Sequence, residues 1–290
     1  MRVLQVDAGR TMGGGQWQVL RLLRGLPAAG VDTLLLARAG SPLFARAQSE
    51  GLPVAALSPW RLLRQTSGFD LLHVHDAHSH TWAAFTRRPL LVSRRVAFPP
   101  GAGALARWKY GRARHFIAVS RHVAAQLHAA GIAPARVSVV YDGVPLLPLV
   151  APGNTAVLAS GKMTALARES CPGVQLMQNL ESDLEQAAVM LYLSESEGLG
   201  SALLLAMSRG VPVVASDLPA IREVIEDGVN GMLVRNEVTA VRAALGRLLH
   251  DEGLRRTVVE NARQSVQQRF TEGRMVQATA GVYREILEHA

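Results

Sequence analysis

Two kinds of residue in this sequence are placed to do chemistry: a carboxylate on a glycine-rich turn, and cations or imidazoles at the ends of apolar runs. The turn is Ser194-Glu195-Ser196-Glu197-Gly198-Leu199-Gly200. It follows the apolar run Val189–Leu193, which reads as a strand, and precedes Ser201–Ser208, which reads as an apolar helix. A glycine turn so placed aims backbone N–H groups and the positive end of the helix dipole at whatever lies above the sheet, which suits a phosphate. Ser201 is expected to cap the helix. The Glu197 carboxylate is expected to reach ligand hydroxyls rather than phosphates. In the other half, Ser93-Arg94-Arg95-Val96 ends an apolar run with two arginines that can hold an anion such as a phosphate, or form salt-bridged surface. His75, His78 and His80 have metal-like spacing, yet no thiolate or further ligand set accompanies them, so no metal site is expected. His78 and His80 read as solvent- or acceptor-facing.

The elements that must position these groups alternate along the chain. Arg2–Asp7 reads as a strand, Gln16–Leu26 as a helix with Trp17, Leu20 and Leu23 at helical spacing, and Thr33–Ala37 as a second strand. Further strands are expected at Val54–Leu57, Leu71–His75, Leu90–Val96, Phe116–Val119 and Val137–Val140, with helices near 41–50, 78–86, 104–112 and 121–130. The second half repeats the theme. Its expected strands are Ala156–Ser160, Val174–Met177, Val189–Leu193, Val211–Ser216 and Met232–Val234, with helices at 201–209, 218–226, 238–250, 252–268 and 272–288. Strands separated by helices argue for parallel α/β sheets covered on both faces. The 290 residues suffice for two such units, and Leu146–Asn154, with two prolines and a glycine, reads as the linker. The expected domains are therefore 1–146 and 147–271, followed by a terminal helix in 272–290.

Composition narrows the class. Hydrophobic residues make up 49% and aromatics only 5%, so the core is aliphatic and the chain globular. The single cysteine, Cys171, cannot form an internal disulfide and fits a reducing compartment. The short apolar stretch at Met1–Val6 is no signal peptide, and no apolar run reaches the ~18 residues needed to span a bilayer. A cytoplasmic protein is expected. The net charge of +8 is uneven: residues 1–146 hold 18 Lys and Arg against 6 Asp and Glu, while 147–290 hold 13 against 17. A basic first half can attract an anionic membrane surface, a phosphorylated acceptor or nucleic acid, or simply form a solvated arginine-rich surface.

Several segments occur in a fixed order: Glu197-Gly198-Leu199-Gly200, Ala206–Ser216 with its Arg209-Gly210-Val211-Pro212, Glu223-Val224-Ile225, and Asp227–Val234. In the first half they are joined by Gly13-Gly14-Gly15, Asp70–Asp76, Ala118-Val119-Ser120 and Val139–Val144. In this order they resemble the family 4 glycosyltransferases, retaining enzymes of the GT-B type. The resemblance implies two Rossmann-like doubly wound domains facing a cleft, a basic first domain that binds the acceptor, and a second that binds a nucleotide-sugar. It implies that 272–290 crosses back to the first domain. By position, Gly13, Gly14 and Gly15 approach the donor phosphates, Gly198, Leu199, Gly200 and Ser201 bind the donor, and the catalytic residues are His75, close to the sugar, and Glu197. Lys162 and Arg168 stand where the family clamps the diphosphate with cations, Arg168 one residue out of register. The family's second glutamate, on the nucleotide ribose, is here Leu205. The region between Val150 and Met190 is shorter than usual for the family. The expected partners are a nucleotide-sugar donor and a glycan, lipid-linked or small-molecule acceptor, with peripheral contact to an anionic membrane through the basic domain; no cofactor or metal is expected.

Other readings compete on particular residues. A dinucleotide oxidoreductase needs a G-x-G-x-x-G fingerprint and an acidic end to its second strand, but this chain has Gly13-Gly14-Gly15-Gln16-Trp17-Gln18 and Ala37-Arg38. An epimerase would have Asp76 and Glu197 as its acid and base. A non-catalytic GT-B protein would accord with Leu205. Nucleic-acid binding has only the basic half in its favour, without aromatic stacking residues or a recognised module.

Overall fold

In a computed structural model, which describes residues 1–101, 103–149, 156–177 and 180–288, the chain forms two compact units. The first is Met1–Gly143 with Glu272–Ala290, and the second is Val144–Thr271. The boundary lies at Gly143/Val144, three residues before the sequence-based 146/147, because Val144 already donates its N–H to Phe270 O (2.9 Å) in the second unit. Residues 150–154 of the expected linker lie outside the described residues.

Among the described residues the first unit holds a parallel sheet of β1 (Arg2–Asp7), β2 (Asp32–Ala37), β3 (Val54–Ala56), β4 (Leu71–Val74), β5 (Leu90–Arg94), β6 (His115–Ala118) and β7 (Val137–Val139), in the order β3-β2-β1-β4-β5-β6-β7. The connecting helices are α1 (Gly14–Gly25), α2 (Pro42–Ser49), α3 (Pro59–Gln65), α4 (Ala77–Ala83), α5 (Ala104–Arg112) and α6 (Arg121–Ala129). Helix α3 was not anticipated. Its start is written locally: Ser58 accepts from the N–H of Arg61, and Pro59 fits the first helical position.

The second unit holds, among the described residues, β8 (Ala156–Gly161), β9 (Gln175–Leu176), β10 (Ala187–Leu193), β11 (Val213–Ser216) and β12 (Met232–Val234), all parallel, in the order β12-β11-β10-β8-β9. Helices α7 (Thr164–Ser170), α8 (Leu180–Asp183), α9 (Ser201–Arg209), α10 (Val238–His250) and α11 (Glu252–Arg269) complete it. The helix expected over 218–226 is instead one 3₁₀ turn, Ile221–Glu223. The buried Asn230 explains the difference: its side chain accepts from Glu226 N and donates to Val224 O, taking backbone groups that a helix would have used.

The terminal helix α12 (Glu272–Glu288) packs on the first unit. Its buried stripe Met275, Val276, Thr279, Ala280, Tyr283 and Ile286 recurs every three to four residues and meets Val3, Leu22, Leu71 and Leu91. An ion pair of Glu272 with Arg21 of α1 (3.1 Å) pins its start.

Candidate functional site

In each sheet the strand order reverses at one point: between β1 and β4 in the first unit, and between β8 and β10 in the second. Successive helices there leave on opposite faces and open a crevice at the carboxyl ends of the strands. Most of the expected residues lie at these two points.

In the first unit, β1, β4 and β5 read Arg-Val-Leu-Gln-Val-Asp, Leu-Leu-His-Val and Leu-Leu-Val-Ser-Arg. Parallel register sets Gln5 beside His73 and His73 beside Leu91. Alternation then puts Gln5, Asp7, His73, His75, Ser93 and Arg95 on one face, and Arg94 on the other. These polar side chains form a connected chain. Arg95 Nη1 meets His75 Nδ1 (3.3 Å), His75 Nε2 meets Gln5 Oε1 (2.8 Å), and Gln5 Nε2 donates to the Tyr283 hydroxyl (3.0 Å). That hydroxyl meets His73 Nδ1 (2.7 Å), and His73 Nε2 meets Ser93 Oγ (2.7 Å). Arg95 can only donate, so His75 Nδ1 accepts and His75 is neutral with its proton on Nε2, whereas His73 lies between two hydroxyls that can each donate or accept. The electrostatics agree. Burial lowers the His75 pKa well below its ordinary value, with further lowering by His73 and Arg95, and burial and Arg95 do the same to His73.

Arg95 also donates to Asp142 (3.2 Å), a buried carboxylate beyond β7. Its Cδ lies 3.7 Å from where a Cβ on Gly15 would be, so this cation sits against the glycine turn at the start of α1. The turn itself is tied down. Ala8 N donates to Asp76 (2.7 Å), Gly9 N to Asp7 (2.8 Å), Gln16 Nε2 to Asp7 (3.1 Å) and Gly13 N to Gln16 Oε1 (3.2 Å). Gly9 has no room for a side chain, since a Cβ would lie 2.7 Å from both Asp7 and Gln16. Burial, then the nearby Asp76, raises the Asp7 pKa.

Three expectations here are corrected. Arg94 is no anion ligand: it is buried on the other face, donates to the Tyr110 hydroxyl (2.7 Å) and to Phe98 O, and lies over both rings. His80 faces neither solvent nor acceptor; it is buried edge-on against the stacked rings of Tyr110 and Phe116 and bonded to Lys109 O (3.2 Å). Asp76 is no free acid–base group, because its carboxylate caps α4 through His78 N and Ser79 N and also holds Ala8. His78 is exposed, its ring against Trp82.

In the second unit the glycine turn leaves β10 and enters α9. A closed triangle fixes its start: Ser194 N donates to Ser216 Oγ (2.9 Å), Ser216 Oγ to Asn236 Oδ1 (2.6 Å), and Asn236 Nδ2 to Ser194 O (3.1 Å). Lys162, just past β8, donates to Ser196 O (3.3 Å) from an exposed position. The half-buried Glu197 lies near the buried Tyr192, whose pKa burial and that carboxylate raise well above its ordinary value. Tyr192 therefore keeps its proton beside the carboxylate. Ser201 is not the cap. It is the first helical residue of α9, and the cap position belongs to Gly200, at φ 99° and ψ 64°. Only glycine holds that conformation without strain, and a Cβ there would also lie 3.2 Å from Ile221 and 3.3 Å from Tyr192. Gly200→Ala is expected to cost roughly 2 kcal/mol, read as a lowered urea midpoint; an unchanged midpoint would show that the turn relaxes freely.

Gly198 and Leu199 are buried within the turn. Arg168 is exposed on α7 and, among the described residues, bonds to no part of the turn. Leu205 is buried inside α9, so no carboxylate stands there to hold a ribose. Among the described residues no three His, Cys, Asp or Glu side chains gather as metal ligands, and no helix is long and apolar enough to cross a membrane.

Two Rossmann-like units, each with its polar groups at the switch point of a parallel sheet, make this a protein of the GT-B glycosyltransferase fold. Residues 12–146 match the model of glycosyltransferase family 4, and 171–265 that of the group 1 glycosyl transferases. The chain belongs to this family. Anabaena Alr3699/HepE, solved in complex with UDP and glucose, superposes with a TM-score of 0.86 over 98% of this chain and 100% of that one, at 17% identity. Sucrose-phosphate synthase of Thermosynechococcus elongatus superposes at 0.77 over the whole of both chains, at 16% identity. N-acetyl-alpha-D-glucosaminyl L-malate synthase of Bacillus anthracis is 33% identical over 135 residues, which are 41% of this chain and 35% of that protein. The chain thus matches about a third of the length of the curated relatives.

Proposed function

We propose that this protein is a retaining glycosyltransferase that moves a sugar from a nucleotide-diphospho-sugar to a lipid-linked or other cell-envelope glycan acceptor. The observation that carries this reading is the Tyr192–Glu197 pair beside Lys162 at the switch point of the second sheet. A carboxylate suits sugar hydroxyls, and a helix N-terminus with an adjacent ammonium suits a departing diphosphate. In the first unit, Arg95 and the Gly13–Gly15 turn supply positive potential for a substrate phosphate, and His75 a neutral, fixed ring beside it. The protein's own cations and amides then carry the leaving-group charge, without a metal. The basic first unit is proposed to carry the acceptor and to approach an anionic membrane surface from the cytoplasmic side.

A second reading, a protein that binds a nucleotide-sugar without turning it over, is favoured by the leucine at position 205. One experiment separates the two. Thermal shifts with UDP-, GDP- and ADP-sugars, followed by an assay of donor hydrolysis and transfer, should show one stabilising donor that is consumed. Glu197→Ala should abolish both effects. Stabilisation without consumption would leave the binder; the absence of any shift, with Glu197→Ala and His75→Ala silent, would end the transferase reading.

A further inference from the structure

Strand β5 ends at the site just described, and its other end opens on a separate pocket of about 580 Å³ at the amino edge of the first sheet. Five arginines line it, Arg87, Arg88, Arg112, Arg114 and Arg136, and Glu285 of α12 is the one acid among its described lining residues. Like charges gathered this closely repel one another unless something compensates them. The protein compensates three of them only with neutral groups. Arg88 donates to the carbonyls of Thr66 (3.2 Å) and Ser67 (2.8 Å), Arg112 to those of Ala84 (3.2 Å) and Thr86 (2.9 Å), and Arg136 to those of Tyr110 (3.2 Å) and Ala113. Carbonyls fix a guanidinium in place and leave its full charge standing. Arg87 is exposed and makes no hydrogen bond or ion pair among the described residues. The result is a concave wall of oriented guanidinium groups, which is the preferred protein surface for phosphate oxygens.

We propose that this pocket is a second anion site, which binds a phosphate-bearing group, either a soluble phosphate ester or a lipid headgroup. It is independent of the glycosyltransferase reading, because its residues lie at the opposite end of β5 from His75 and Arg95. An exposed aromatic pair adjoins the segment that holds Arg112: the rings of Phe85 and Trp108 lie 4.9 Å apart, and Phe85 sits between the two residues whose carbonyls bond that arginine.

The test uses inorganic pyrophosphate and vesicles of phosphatidylglycerol or of phosphatidylcholine as probes. Pyrophosphate binding by calorimetry, or sedimentation with phosphatidylglycerol but not phosphatidylcholine, is expected for the natural protein, and each weakens with added salt. Arg87→Gln with Arg114→Gln should weaken whichever probe binds by about tenfold, while nucleotide-sugar binding stays as it was. Pyrophosphate can also enter the diphosphate site proposed at Lys162, so the calorimetry is repeated in Lys162→Gln, where the share of binding that belongs to the arginine pocket should persist. Glu285→Gln removes the one acid and should tighten the probe several-fold, a gain that misfolding cannot imitate. Retention of pyrophosphate alone identifies a soluble ligand, and retention of anionic vesicles alone identifies a headgroup. The proposal fails if neither probe binds, or if binding is the same in the arginine and Glu285 variants as in the natural protein.

Discussion

Replacing Arg95 with alanine is expected to cut donor turnover about a hundredfold and to destabilise the first unit by about 3 kcal/mol. The two losses have different origins. Asp142 is buried and paired with Arg95 (3.2 Å), so truncation takes an opposite charge away from a buried carboxylate. Turnover suffers because Arg95 is the cation that lies against Gly15 and also donates to His75 Nδ1. Adding Asp142→Asn to Arg95→Ala removes that carboxylate charge and should restore most of the stability without restoring turnover. Arg95→Lys should keep Asp142 compensated, yet it replaces a forked donor by a point charge and should recover turnover only in part. Urea midpoints and kcat/KM for the four proteins give the comparison. If turnover follows stability through the series, Arg95 holds the fold and plays no part with the substrate.

Arg95 also illustrates what the sequence made legible. The strand Leu90–Arg94 was readable as an apolar run with two arginines at its end, but which of the two reaches the site depends on the register of β5 against β4. That register is set by contacts far apart in the chain, so either arginine was open. The same holds for Gln5 and Tyr283. A glutamine within Arg2–Asp7 is an anomaly in a strand buried on both faces, and that anomaly was visible; its partner on α12, 278 residues away, was not. Local signals lie closer to hand. The repeat of strand and helix is readable as it stands, whereas in the sequence Ser201 instead of Gly200 reads as the cap of α9, and Asp76 as an acid–base group instead of the cap of α4, although both caps are written within a few residues. The helix expected over 218–226 was lost to Asn230, whose side chain competes for backbone groups that propensity alone assigns to a helix. Leu205 was legible in sequence and structure alike, as a leucine in a buried helix face.

The first unit is expected to weaken as the pH falls below neutrality, and His80 alone should contribute about 2 kcal/mol of that loss at pH 5. Burial, with Lys109 nearby, lowers the His80 pKa from 6.5 to about 4. In the unfolded chain the ring takes its proton near pH 6.5, whereas in the folded chain it must wait until about pH 4. The stability it contributes is therefore complete above pH 6.5 and is lost as the pH falls toward 4. His73 and His75 act in the same direction, since burial depresses both. Protonating His75 would also set a second proton against Arg95, breaking the 3.3 Å contact. Asp7 works the other way: its raised pKa makes the protonated carboxyl the better-tolerated form, which offsets part of the loss at the acid end. Urea unfolding at pH 7.5 and pH 5 should show the drop in the natural protein, and His80→Leu should reduce it while keeping the packing against Tyr110 and Phe116. A midpoint that moves equally in the variant would show that His80 does not contribute to the drop. A midpoint that does not move between the two pH values would mean that these imidazoles take up no extra proton on unfolding, and the view of His75 as a neutral ring at the site would fall with it.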